Sequence, residues 1–225
     1  MQLKDKLFNN SRGRKVFFAE FIGTFIVVTL ATGSVVIDAK TGGLLGLPFI
    51  AIAPAIAVAI GVYLFGKRSM AHFNPAVTVG FLITGHVKRY QFINYFSAEI
   101  CGAILASLFV KYFIGSEVNL GANAPSYNYP LSLIFGVEVL ASVLLMSVIC
   151  IVVYTKGPRG FSGIAIGAIV GLDIFLFGLI SGASMNPARS LAPAIVSGYY
   201  IDLWLYLTAP FIGTSIVALL LKNKF

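Results

Sequence analysis

Apolar residues gather into six long runs along the 225-residue chain, at about 16–37, 44–65, 90–114, 131–154, 161–180 and 201–221, with most charged residues between them. Each run approaches or exceeds the roughly 20 residues that a helix needs to cross the hydrocarbon core of a bilayer. The runs are continuous, whereas a membrane β-barrel alternates apolar and polar positions in ~10-residue segments. Helical periodicity adds little, because a helix surrounded by lipid is apolar on every face. Six membrane-spanning helices are therefore predicted.

Two further segments are apolar but short. Residues 74–84 and 186–197 number 11 and 12, which as helix reach about 16–18 Å, roughly half the hydrocarbon core. Both open on one tripeptide, Asn74-Pro75-Ala76 and Asn186-Pro187-Ala188. Asn is a strong helix N-cap and Pro is favoured at the first helical position, so each tripeptide reads as the start of a half-helix. Non-helical backbone leading into such an element sits at membrane depth only where it lines a cavity or is buried in protein.

The elements also recur in register. Glu20 precedes Asn74 by 54 residues, and Glu138 precedes Asn186 by 48. Each half holds three spans, and an odd number turns the second half upside down relative to the first. The half-helices then enter from opposite faces and meet N-terminus to N-terminus near the midplane, an arrangement that marks transport proteins. The predicted fold class is an all-α membrane protein with six transmembrane helices plus two half-helices in an inverted 3+3 repeat. Residues 1–15 form a cytoplasmic N-terminal segment and 16–221 a single channel domain. Within that domain the first repeat spans 16–114, a linker rich in Gly, Asn, Ser and Pro spans 115–130, and the second repeat spans 131–221.

Composition sharpens this picture. The chain is 58% hydrophobic and 11% charged, well below the roughly 25% charged residues of a soluble domain. Its net charge of +8 invites a nucleic-acid partner, but the distribution of charge argues against one. Lys4, Lys6, Arg12, Arg14 and Lys15 precede the first run; Lys67, Arg68, Lys88 and Arg89 flank one loop region; Lys156 and Arg159 lie in another; Lys222 and Lys224 end the chain. These 13 of the 16 basic residues fall on one side of the predicted membrane, the positive-inside pattern that puts both termini in the cytoplasm. Cys101 and Cys150 lie inside apolar runs, and no metal-ligand spacing or disulfide framework is present. The polar first 15 residues and the spanning run after them do not read as a cleavable signal. With no nucleophile–base pair and no metal cluster, neither an enzyme nor a cofactor is predicted.

The two half-helix openings carry longer motifs, Ala71-His72-Phe73-Asn74-Pro75-Ala76-Val77-Thr78 and Ser181-Gly182-Ala183-Ser184-Met185-Asn186-Pro187-Ala188-Arg189-Ser190. They resemble the two signature loops of the aquaporin (major intrinsic protein) family. Ala19-Glu20-Phe21-Ile22-Gly23-Thr24 resembles that family's first-helix opening, and Ala209-Pro210-Phe211-Ile212-Gly213 its last-helix motif, with Ala209 where Gly is usual. The resemblance runs from about residue 16 to 221. It implies one pore per subunit, a homotetramer in the lipid bilayer of the cell membrane, and passage of water and small neutral solutes.

Physical chemistry assigns much of such a pore. Two helix N-termini facing each other place about +0.5 charge each at one point and repel cations. Asn74 and Asn186 cap those helices and still donate amide hydrogens to a passing water, which turns its own hydrogens outward and interrupts proton hopping. An intramembrane Arg is costly unless it meets water or a partner, and Arg189 falls in the first turn of the second half-helix. By resemblance Arg189 is the outer-constriction arginine and His72 the cytoplasmic-side pore histidine. Glu20 and Glu138, by the same resemblance, accept hydrogen bonds from the loops leading to the half-helices. Glu99 departs from the family, which usually carries Gln there, close to the second-half Glu; as neighbours, Glu99 and Glu138 would share one proton. Asp173, inside the fifth run, suggests no role. Gly163, Gly167 and Gly171 stand at the four-residue spacing that lets membrane helices approach closely.

Aquaporin-type selectivity is generally described by pore diameter, lining hydrogen-bond groups and electrostatic barriers. Counting from the Asn-Pro-Ala motifs, the family's four outer-constriction positions fall on Pro54, Ile174, Ala183 and Arg189. Strict water channels usually place Phe and His at the first two, so a wider, more amphipathic opening is expected here, unless Pro54 shifts its helix and Phe49 or another side chain fills the gap. Ser190, Ala194 and Tyr206 follow the water-channel pattern, whereas Leu207 follows the glycerol type. The expected function is a passive channel for water together with ammonia, urea, glycerol or hydrogen peroxide, excluding protons and ions. Two alternatives stand beside it: a proton-coupled transporter using Glu20, Glu99 and Glu138, and a non-conducting junction protein on the same fold.

Overall fold

The computed structural model describes residues 3–154 and 160–222, the first eight of these by backbone alone. Lys156, Arg159 and Lys224 of the basic face lie outside the described residues, as do the side chains of Lys4 and Lys6. The long helices are α1 (Leu3–Lys40), α2 (Gly46–Ser69), α4 (Arg89–Phe109, extended by a π-turn at Val110–Ile114), α6 (Leu131–Tyr154), α7 (Ser162–Ser181) and α9 (Leu203–Leu221). All six contain a stretch long and apolar enough to cross a membrane. The half-helices are α3 (Pro75–Ile83) and α8 (Pro187–Ser197), and α5 (Glu117–Gly121) is a short turn in the linker. α1 differs from the sequence expectation in length, because helix begins at Leu3 and takes in most of the polar segment 1–15.

Packing follows the repeat. α1 packs on α2 and α4, and α6 packs on α7 and α9. Each half-helix also leans on a span from the other half, α3 on α9 and α8 on α4, while α2 and α7 meet across the molecule. Exchanging α1–α4 for α6–α9 returns the same set of contacts, as an inverted repeat requires.

Small residues set the close approaches. A Cβ on Gly167 would stand 2.9 Å from Ala59 Cβ, and one on Gly171 would stand 3.0 Å from Ala55 Cβ, so the glycine stripe is where α7 lies on α2. Gly102 presses on the Phe21 carbonyl of α1, and Gly213 sits against α6, where a Cβ would lie 2.6 Å from Ser142 Cβ. These two glycines hold corresponding places in the two repeats.

The linker is more structured than its composition suggests. Val118, Asn119 and Leu120 follow one another with φ of 44°, 54° and 61°, a left-handed turn that side chains with a Cβ disfavour. Leu120 is buried in a cluster with Val36 and Val110, which anchors that turn. Lys40 Nζ bonds the Ile114 carbonyl and lies 4.0 Å from Glu117. Further on, Tyr127 Oη donates to Asp202 at 2.6 Å, and that hydrogen bond pushes the Tyr127 phenol up to about 12.

Candidate functional site

The two half-helices are approached by strained backbone. Ala71 and Phe73 have φ of 53° and 51°, and Ala183 and Met185 have 43° and 54°. Left-handed non-glycine residues cost on the order of 1 kcal/mol or more each and persist only where the surroundings fix them. Two buried carboxylates supply that fixation. Glu20 accepts from the N–H groups of His72 (3.1 Å) and Phe73 (2.7 Å). Glu138 accepts from those of Ser184 (2.9 Å) and Met185 (3.2 Å). Both glutamates are fully buried. Tyr95 Oη donates to the Ser69 carbonyl at 2.8 Å and Tyr206 Oη to the Ser181 carbonyl at 2.6 Å, so each turn is also tied at its entrance.

At the half-helix tips the asparagines act in pairs. Asn74 Oδ1 caps the Ala76 N–H at 2.9 Å, and Asn186 Oδ1 caps Ala188 at 3.0 Å and Arg189 at 3.4 Å. Their amides reach across the repeat boundary: Asn74 Nδ2 donates to the Met185 carbonyl at 2.8 Å, and Asn186 Nδ2 to the Phe73 carbonyl at 2.9 Å. Each side chain thus fastens the opposite turn with one amide hydrogen and keeps a second. Pro75 and Pro187 follow at the first helical positions.

A narrow cavity, with about 80 Å³ of room for water-sized centres, runs past these tips. Its wall includes Pro54, Ile174, Ala183 and Arg189, the positions counted from the motifs, together with His72, Asn74 and Asn186. The remaining wall is largely apolar, with Val27, Val58, Leu145, Ile149 and Val170 among its members. α2 continues through Pro54 without a break. A second recess shares Ile174, Ala183 and Arg189 with the lumen and is lined on the α2 side by Leu47 and Ile50. Phe49 is in neither wall among the described residues.

Arg189 is held from the linker. Its Nη1 donates to the Gly121 carbonyl at 2.9 Å and to Asn123 Oδ1. That same Oδ1 accepts from Ser190 Oγ at 2.8 Å, and Asn123 Nδ2 donates to the Gly182 carbonyl at 3.2 Å. Sequence reasoning missed Asn123, because nothing in the linker's composition distinguishes it from Asn119 or Asn128. It also gave Tyr95 and Tyr206 no part in holding the turns, although their separation, 206 − 95, equals that of the matched glycines, 213 − 102.

Glu99 stands elsewhere than expected. It is fully buried on α4 and faces Glu20 of α1, not Glu138. α4 packs on α1 within its own repeat, so its inward face meets the first-half carboxylate. Thr78 Oγ1 of α3 lies 2.5 Å from Glu99 Oε1 and 2.8 Å from His72 Nδ1. The His72 ring is sandwiched between Phe81 and Tyr95, with centroids 4.6 and 4.5 Å away. Asp173 is fully buried with neither oxygen hydrogen-bonded, and Glu138 is the acidic group facing it.

Comparison with known proteins agrees with this architecture. The profile of the family described as Major intrinsic protein matches residues 8–221. The chain is 39% identical to the probable aquaporin NIP4-2 of Arabidopsis thaliana over 197 residues, covering 87% of this chain and 69% of that protein. It is 39% identical to aquaporin NIP3-1 of the same plant, covering 86% and 62%, and 36% identical to nodulin-26 of Glycine max, covering 87% and 72%. Among solved structures, the aquaglyceroporin from Plasmodium falciparum superposes with a TM-score of 0.78 at 24% identity, covering 94% of this chain and 96% of that one.

Proposed function

The chain belongs to the major intrinsic protein family, and from that membership we propose that it is a passive channel whose lumen admits water and at least one of ammonia, urea, glycerol and hydrogen peroxide while excluding protons and ions. It is an integral membrane protein, and the coarser statement, a channel for water and small solutes, follows from the family. The finer reading rests above all on one observation, the reciprocal clasp of Asn74 and Asn186 on the lumen wall.

In this reading the clasp sets the proton barrier. Each asparagine spends one amide hydrogen on the opposite turn and offers the other to the lumen, so a water at the tips accepts twice. Its own hydrogens then point away along the pore, and the wire of hydrogen bonds needed for proton hopping is interrupted. The converging N-termini of α3 and α8 add positive potential at the same point. Arg189 supplies a fixed charge at the outer constriction, and its bonds to Gly121 and Asn123 aim the guanidinium.

Solute choice follows from the rest of that constriction. Pro54, Ile174 and Ala183 give it apolar and small walls beside the Arg189 guanidinium, so a solute meets both donors and hydrocarbon there. Such a ring suits neutral polyols and amides as well as water. In the proposed assembly the channel is a homotetramer of the plasma membrane with both termini cytoplasmic. Stopped-flow volume changes of proteoliposomes, recorded for water and then for each of the four solutes, test the reading. Water flux with all four solutes excluded would reject the wide constriction.

A further inference from the structure

The first half-helix has a hydrogen-bonded chain that the second half does not reproduce with the same groups. Glu99 Oε1, Thr78 Oγ1 and His72 Nδ1 lie in line at 2.5 and 2.8 Å, and His72 is on the lumen wall. Glu99 is fully buried, its Oε2 has no hydrogen-bond partner, and His72 Nε2 is likewise buried without a protein partner. In the second repeat Ser184 and Ser190 replace His72 and Thr78, and Ser190 ends on the amide of Asn123, which cannot change its proton count.

A hydroxyl has one proton, so Thr78 gives it either to Glu99 or to His72. A neutral Glu99 has one acceptor for its proton in this chain, Thr78 Oγ1. Thr78 then donates to His72 Nδ1, and the ring proton sits on Nε2. An ionised Glu99 takes the Thr78 proton instead; Thr78 accepts from Nδ1–H, and Nε2 is left as a bare acceptor. The ionised state also places a fully buried charge beside Glu20, whose two oxygens are already occupied by backbone N–H groups, with the Asn74 N–H facing it besides Thr78. Neutral Glu99 is therefore the resting state.

We propose that Glu99 is a positioning residue: through Thr78 it sets the tautomer of His72, a residue of the lumen wall, and so decides whether the buried Nε2 edge of that ring is a hydrogen-bond donor or acceptor. This rests on His72 belonging to the conducting lumen and deepens that reading. Loss of the Glu99 proton reverses the chain in three linked transfers. The Oε1 proton passes to Thr78, the Thr78 proton passes to Nδ1, and the Nε2 proton is taken up by hydroxide from solvent, giving water. One proton leaves in total and the imidazole stays neutral. The other groups facing this chain are Glu20 on α1, the Asn74 N–H, the Tyr95 phenol on α4, and His86 beyond the half-helix; Arg12 faces Tyr95. Glu20 and Tyr95 are committed to backbone partners, and neither Arg12 nor His86 bonds a member of the chain among the described residues.

The measurement is nitrogen-15 NMR of the histidine ring in bilayer-reconstituted protein. The chain has two histidines, and the signals that survive in His86→Gln are those of His72. From about pH 5 to about pH 10, wild type is expected to pass from the Nε2–H to the Nδ1–H tautomer without forming imidazolium. Glu99→Gln, which has no proton to lose, and Thr78→Val, which cuts the chain, are each expected to abolish the reversal. A single tautomer throughout in wild type, an imidazolium intermediate, or reversal persisting in either folded variant would overturn the proposal. The readout does not depend on conduction, so failure of the channel reading would appear separately, as absent flux with the tautomer reversal intact.

Discussion

Truncating Asn123 should loosen the outer constriction without touching a lumen motif. Its Oδ1 accepts from Arg189 Nη1 and from Ser190 Oγ, and its amide donates to Gly182. Asn123→Ala removes all three bonds, but they do not count equally. Ser190 keeps Ser184 Oγ at 2.5 Å, and Arg189 keeps the Gly121 carbonyl at 2.9 Å. The bond to the charged guanidinium carries most of the effect, about 1.5–3 kcal/mol against about 0.5–1.5 for a neutral one. With each 1.4 kcal/mol worth about tenfold, displaced orientations of Arg189 become roughly ten- to a hundredfold more populated. The assay is the ratio of solute to water permeability in one batch of proteoliposomes, for each solute that wild type passes. The ratio should rise several-fold in Asn123→Ala. Adding Asn123→Ala to Arg189→Val should change it little beyond Arg189→Val alone, because coupled residues are not additive. An unchanged ratio in the single variant, or full additivity in the double, would refute the view that Asn123 acts by aiming Arg189.

Three further outcomes are expected. Arg189→Val should let small cations or protons leak through vesicles that wild type keeps tight, since a fixed charge leaves the constriction; unchanged exclusion would show that the half-helix N-termini suffice. Ile174→His should narrow the opening and lower the solute-to-water permeability ratio, and a ratio equal to wild type would place the size filter elsewhere. Gly167→Val should lower Tm in detergent and the yield of folded protein, because its Cβ would stand 2.9 Å from Ala59 Cβ and overpacking costs about 1–3 kcal/mol; a thermal unfolding curve superimposable on wild type would mean that α2 and α7 separate at little cost.

What could be read from the sequence was whatever depends on local rules. Asn followed by Pro fixes a helix start through capping and a preset φ, so α3 and α8 begin at Pro75 and Pro187, directly after their predicted caps. Six spans follow from hydrocarbon thickness, and their inversion from an odd count per half. The N-terminal helix was less legible, because the polar residues before position 16 carry no lipid signal although α1 continues through them. The partner of Glu99 was illegible for another reason. Which carboxylate it meets depends on the rotation of α4 against α1, and an apolar span carries no stripe from which to read that rotation. Asn123 was hidden by backbone. The linker reaches Arg189 only because Val118, Asn119 and Leu120 turn left-handed, and no sequence rule assigns that conformation to Val or Leu.

The two repeats share a frame but not a chemistry. Glu20 and Glu138, Tyr95 and Tyr206, Gly102 and Gly213, and the two capping asparagines occupy matched places, and each matched pair makes a bond or contact to backbone. Backbone geometry is what an inverted repeat must reproduce, so selection for the frame leaves these positions alike. His72, Ser184 and Arg189 also bond other side chains, and there the halves diverge. On one side His72 leans on Thr78 and then on Glu99, a group with an exchangeable proton. On the other, Ser184 leans on Ser190, and Ser190 and Arg189 lean on Asn123, which offers fixed donors and acceptors only. A lumen built on this frame is therefore bounded by matched backbone at the half-helix tips but by unlike hydrogen-bonding groups in its two halves, one adjustable by a single proton and the other fixed by an amide.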